Sequence, residues 1–81
     1  MNKTLVFVQE ANCAFARLPE DVRESLYRKL FLYDLMGQGD VKRLSGSGRL
    51  RLRDGDYRVV FDETGTTLTI LTVAHRRDVY R

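Results

Sequence analysis

Apolar and polar positions alternate along this chain in three different rhythms. The first is the short run "TLVFV", Thr4 to Val8, rich in β-branched residues, which reads as a β-strand covered on both faces. Ala11, Ala14, Phe15 and Leu18 then fall at the i, i+3, i+4, i+7 spacing of a short amphipathic helix. Pro19 ends that helix and suits the start of the next, where Glu20, Asp21 and Glu24 complement the positive end of the helix dipole. The second helix is expected from about Pro19 to Met36. Val22, Leu26, Leu30 and Tyr33, flanked by Tyr27, Phe31 and Leu35, form a wide stripe whose aromatic residues read as core packed on a flat surface. Gly37 and Gly39 stop it.

Beyond Gly37 the segment "GQGDVKRLSGSG" reads as a connection. Its Ser45–Gly48 portion lacks the lysine and the strand-to-helix setting of a phosphate-binding loop. Period-two alternation begins with "RLRLRDGDYRVVF", residues 49–61, and places leucines on one face and arginines on the other. Asp54-Gly55 is a strong hairpin signal. A two-residue loop there sets Arg53 opposite Asp56, Leu52 opposite Tyr57, Arg51 opposite Arg58 and Leu50 opposite Val59. A second turn at Thr64-Gly65 sets Phe61 opposite Leu68 and Val59 opposite Ile70. The pattern as a whole predicts an α+β fold of one domain, residues 1–81: an N-terminal strand, a two-helix hairpin and a three-stranded antiparallel meander, with one small sheet packed on the helices.

Composition fits an ordinary globular domain, at 43% hydrophobic and 31% charged residues, and leaves room for one modest core. No apolar run approaches the length that spans a bilayer, and Gln9 and Glu10 interrupt the N-terminal run too early for a signal peptide, so a cytoplasmic location is expected. One cysteine, Cys13, reads as a packing residue on the first helix. With a single histidine, His75, it falls short of a structural zinc set, and neither metal nor cofactor is expected.

Charge changes the picture more. Residues 1–40 hold five Lys/Arg against six Asp/Glu, a balance of −1; residues 41–81 hold nine against five, a balance of +4. The basic half is the one predicted to be sheet, which points to a polyanionic partner. Arg51 opposite Arg58 costs stability unless Asp54, Asp56 or a bound anion offsets the repulsion. The terminal "HRRDVYR" adds an imidazole, two guanidinium groups and a phenol before the last arginine. RNA phosphodiester cleavage needs a base for the 2′-OH, cations for the phosphorane, an acid for the leaving oxygen and a flat ring to hold a nucleobase. Arginine forks grip phosphate through two donors, the His75 imidazole can take up or give a proton, and Tyr80 can stack or donate.

In element order, in "VKRLSGSGRLRLRDGDYRVVF" and in the ending "HRRDVYR", nearly the whole chain resembles the RelE/ParE superfamily of toxins from bacterial type II toxin–antitoxin systems. The RelE branch implies a metal-independent endoribonuclease that cuts mRNA, usually on the ribosome. The resemblance assigns a basic pair to Arg49 and Arg51, phosphate stabilisation to Arg58, proton donation to Arg76 and base stacking to Tyr80. Arg53, Arg77 and Arg81 read as further RNA contacts. Some RelE proteins have lysines where Arg49 and Arg51 stand; arginine is a poor proton acceptor, which leaves either an arginine such as Arg51 or His75 as the base. A C-terminal helix of some relatives has no counterpart here. The family also implies a cognate antitoxin that covers the basic face or displaces the segment bearing Tyr80. Two other readings are a ParE-like gyrase poison without nuclease chemistry and a non-catalytic RNA- or partner-binding domain.

Overall fold

The structure, a computed structural model, describes residues 3–46 and 48–75. In chain order the elements are β1 (Thr4–Phe7), α1 (Gln9–Ala16), α2 (Glu20–Met36), β2 (Val41–Arg43), β3 (Leu50–Asp54), β4 (Tyr57–Glu63) and β5 (Thr67–His75). Pro19, whose fixed φ suits a helix start, is the N-cap of α2, and Gly37 closes that helix in the left-handed region, φ +68°, with its N–H bonded to the Tyr33 carbonyl.

Among the described residues the strands form one sheet in the order β1-β5-β4-β3-β2. β1 pairs with β5 in parallel, and the other neighbours are antiparallel. The α+β class and the element order agree with the expectation, but the meander is longer than three strands. Val41, Lys42 and Arg43, read as loop, pair with Leu52, Arg51 and Leu50. β1 is an edge strand with one covered face: Leu5 and Phe7 pack toward the core while Val6 is exposed, against the expectation of cover on both sides.

The core lies on one face of the sheet. Ala11 and Phe15 of α1 and Leu26 and Leu30 of α2 cluster with Leu50, Leu52, Val59, Phe61, Leu68, Ile70 and Val73. Phe61, Leu52 and Ile70 have no solvent exposure. Every sheet residue assigned to the helix side by alternation is there. Three other expectations fail. Tyr27 and Phe31 are exposed on α2 rather than core, because α2 meets the sheet along the narrower Val22, Leu26, Leu30, Tyr33 line. Leu35 is exposed with them, and Cys13 lies on the outer side of α1.

Both hairpin registers also differ from the expected ones. At the first, Asp54 pairs with Tyr57, Arg53 with Arg58, Leu52 with Val59, Arg51 with Val60 and Leu50 with Phe61. Gly55 has φ +59° and no non-glycine residue among the described ones has positive φ, so glycine takes the first central position and Gly55-Asp56 forms the loop. At the second, the Thr64 Oγ accepts the N–H groups of Thr66 and Thr67, which widens the turn and pairs Glu63 with Leu68 and Phe61 with Ile70. A β-bulge follows: Val60 pairs with Thr72 and Val59 with Val73, leaving Leu71 as the extra residue.

Candidate nucleic-acid interface

The face of the sheet opposite the core is built by the odd-numbered residues of β3. Arg51 and Arg53 alternate there with the buried leucines, and Arg49 directly precedes the strand. Lys42 of β2 lies across from Arg51, and Arg58 of β4 lies across from Arg53. Five cations therefore share one surface, on three adjacent strands. Val60, paired with Arg51, is buried at 8% exposure on this same face; long arginine stems cover apolar surface in this way while their heads stay polar.

The opposed like charges are real, but the pair is Arg53 and Arg58, not Arg51 and Arg58. The offsetting acid also differs from the one expected. Asp54 faces the helices, where its carboxylate accepts a hydrogen bond from the Ser25 hydroxyl at 2.6 Å and lies 3.6 Å from Lys29 Nζ. The acid on the arginine face is Asp40, just before β2. Its Oδ2 is 2.6 Å from Arg53 Nε and its Oδ1 is 3.5 Å from Arg51 Nη2. The Arg53 N–H donates to the Asp40 carbonyl at 2.9 Å, so Asp40 extends the β2–β3 pairing by one residue. At the other end of β3, Arg49 Nε lies 4.0 Å from Asp62 Oδ1.

The arginines differ in how they are held. The Arg51 side chain is only 15% exposed and its Nε is buried without a hydrogen-bond partner. Arg53, at 54% exposure, meets Asp40 through Nε. Arg58 donates Nη1–H to the carbonyls of Gly55 at 2.8 Å and Tyr57 at 3.1 Å, which anchors the guanidinium over the hairpin turn. Together Arg51, Arg53 and Arg58 form a partly fixed set of donors suited to phosphate oxygens.

His75 is not among them. It pairs with Tyr57 on the helix side of the sheet, and the two rings meet edge to face at 5.6 Å. The bulge is the cause: uninterrupted alternation from Leu68 and Ile70 would carry Thr72 and Ala74 to the helix side and His75 to the arginine side, and one extra residue reverses this. Arg76, Arg77, Tyr80 and Arg81 lie outside the described residues. Lys42 and Asp40 were missed by the sequence reading, since a three-residue strand with Val41 as its single apolar position gives almost no periodic signal.

The core side of the sheet carries a separate polar cluster. The Tyr33 hydroxyl donates to Glu63 Oε1 at 2.6 Å, and Lys3 is ion-paired with the other Glu63 oxygen. Burial, reinforced by the hydrogen bond to Glu63, pushes Tyr33 up to about 12. The hydrogen bond from Lys3, then that from Tyr33, holds Glu63 below the usual carboxylate range. Nearby, Leu5, Leu30 and Leu68 floor a groove of about 340 Å³ bordered by Tyr27, Phe31 and Asp34.

No protein-family profile matches the sequence, and no curated protein matches it. Solved structures do. A RelB–RelE antitoxin–toxin complex from Methanococcus jannaschii is similar at TM-score 0.77 and 21% identity, over 93% of this chain and 94% of that one. The toxin–antitoxin complex RelBE2 from Mycobacterium tuberculosis is similar at TM-score 0.76 and 26% identity, over 94% and 93%. A variant of the E. coli toxin RelE in the free state is similar at TM-score 0.77 and 22% identity, over 99% and 90%. The chain has the RelE toxin fold, in agreement with the resemblance read from its sequence.

Proposed function

We propose that this protein is the toxin of a type II toxin–antitoxin pair, an endoribonuclease that cuts mRNA on the ribosome in the cytoplasm and so halts translation. The observation that carries the reading is the cation row on the exposed face of β3 and β4: Arg51, Arg53 and Arg58 within a RelE fold, held in place by Asp40 and by turn carbonyls. In this reading Arg58 and Arg51 stabilise charge on the phosphorane, where fixed cations are more effective than mobile ones. Arg49 and Arg53 hold flanking phosphates, with Lys42 added to that set. Arg76 donates the leaving-group proton, Tyr80 stacks on a nucleobase, and Arg77 and Arg81 track the strand. His75, on the helix side of the sheet, can serve as base only if the end of β5 rearranges when RNA binds.

The neighbours from Methanococcus jannaschii and Mycobacterium tuberculosis are toxin–antitoxin complexes, which supports a cognate antitoxin for this chain as well. Its acidic residues would pair with Arg51, Arg53 and Arg58. Apolar residues would anchor on Tyr27 and Phe31, since interfaces draw most of their energy from buried aromatic contacts inside a polar rim.

The test is induction in a bacterium that lacks the antitoxin, followed by mapping of RNA 5′ ends. Cuts within translated codons are expected. Growth arrest with intact RNA overturns the nuclease reading, and DNA breaks with an SOS response would move the target to gyrase.

A further inference from the structure

Asp40 holds a carboxylate against two arginines of the proposed site, Arg51 and Arg53, and nothing in the chemistry of RNA cleavage calls for an acid there. An acid set between two cations of an RNA-binding face weakens phosphate binding by repulsion, so a merely electrostatic surface would do better without it. Its geometry is specific. The Asp40 backbone is fixed by the 2.9 Å bond from the Arg53 N–H, and its two carboxylate oxygens divide between two guanidinium groups, 2.6 Å from Arg53 Nε and 3.5 Å from Arg51 Nη2. The contact to Arg53 is made through Nε. Arg51 is half-buried beside Val60 with its Nε atom buried and unpartnered, a placement that a cation holds poorly without a nearby anion.

We propose that Asp40 is a positioning residue: it holds Arg51 and Arg53 against the repulsion of Lys42 and Arg58 so that their free donors converge on one phosphate of the RNA. This rests on the nuclease reading above and extends it from the cations to the acid that orients them. A positioned cation acts on the transition state without first having to reorganise, so Asp40 would raise the rate of cleavage while slightly opposing the binding of RNA. That opposition of signs distinguishes positioning from plain structural support.

The experiment compares wild type, Asp40→Asn and Asp40→Glu as full chains. Cleavage is read in a translating extract programmed with a reporter mRNA, and affinity by anisotropy with a 2′-O-methyl RNA oligonucleotide that cannot be cut. Asp40→Asn should slow cleavage by about 10-fold to 100-fold, the usual loss when a group that orients an active-site residue is removed. It should bind the oligonucleotide as tightly as wild type or more tightly. Asp40→Glu should recover most of the rate. In an Arg53→Gln background, Asp40→Asn should cost much less than it does alone, because the two residues act as a unit. Undiminished cleavage by Asp40→Asn overturns the assignment while leaving the nuclease reading intact. So does a rate loss that tracks the unfolded fraction in a thermal melt of the same preparation, or one shared equally by binding. A wild-type chain that cuts nothing overturns the nuclease reading and this assignment with it.

Discussion

The two faces of β3 are made by one stretch of alternating sequence, yet they do opposite work. Leu50 and Leu52 point into the core and are buried, and their neighbours Arg49, Arg51 and Arg53 point outward beside Lys42 and Arg58. The leucine face is satisfied by the protein alone, since every residue on it meets helix or sheet. On the arginine face, like charges oppose each other across both sides of β3, and Asp40 and Asp62 lie against Arg51, Arg53 and Arg49. Stability is concentrated on one side of the strand, and on the other lies the cation row to which the proposed phosphate contacts are assigned.

If that division is correct, substitutions on the two faces should separate stability from activity. The largest stability loss is expected for Phe61→Ala, which empties a site with no solvent exposure and should cost about 3–5 kcal/mol in urea denaturation. A loss under about 1 kcal/mol would mean the core is not packed as described. Arg58→Ala comes next and should behave in the opposite way. Removing one donor to a developing anion should lower cleavage by roughly 10²-fold to 10³-fold, about 2.7–4 kcal/mol. Folding stability should change by no more than about 1 kcal/mol, because relief of the Arg53 repulsion offsets two lost hydrogen bonds to the turn. Inactivity caused by unfolding would make Arg58 part of the scaffold and collapse the distinction between the faces.

A smaller effect should appear with pH, at the Tyr33–Glu63 cluster on the core side. Glu63 is held below its ordinary value of 4.5, so its contribution is present above that value and is lost as pH falls through the lower folded value. Tyr33, raised from 10.0 to about 12, contributes fully below pH 10 and loses that contribution as pH rises toward 12. Glu63→Gln should flatten the acid limb of a stability profile, and Tyr33→Phe the alkaline limb. An unchanged profile in both variants would show that the cluster does not form in solution. The smallest stability effect is expected for Phe31→Ser, at 55% exposure, within about 0.5 kcal/mol. Binding of the antitoxin should nevertheless weaken measurably in titration calorimetry; unchanged affinity would place the apolar anchor elsewhere.

Much of the fold was legible because the facing of a strand depends only on parity. Placing the first hairpin loop one residue early shifts every cross-strand partner by two, and a shift of two leaves Leu52 inside and Arg51 outside. Register was not legible, since "DGD" offers two glycine placements, and only the left-handed conformation of Gly55 chooses between them. β2 was hidden by its shortness, and with it the neighbourhood of Asp40, Lys42 and Arg51. The pairing of β1 with β5 links distant parts of the sequence that no local pattern connects. For the candidate site the cation row was readable from alternation alone, while the position of His75 turned on a single extra residue at Leu71 that composition does not announce.

That parallel pairing of β1 with β5 also bears on how the chain reaches its folded state. The β2–β5 meander is made of neighbouring strands joined by short turns, so it can nucleate from local contacts. β1 has no sheet partner except the strand at the far end of the described chain. Non-local pairing of this kind slows folding, because a long loop must close before the contact forms. During synthesis β1 and the helices would leave the ribosome first and wait, with Leu5, Phe7 and Phe15 uncovered, until β5 emerges. The arginine row needs β4 fixed on both flanks to be rigid, and β5 is one of those flanks. If the proposed nuclease reading holds, the arginine row would not be assembled on a growing chain until β5 has docked.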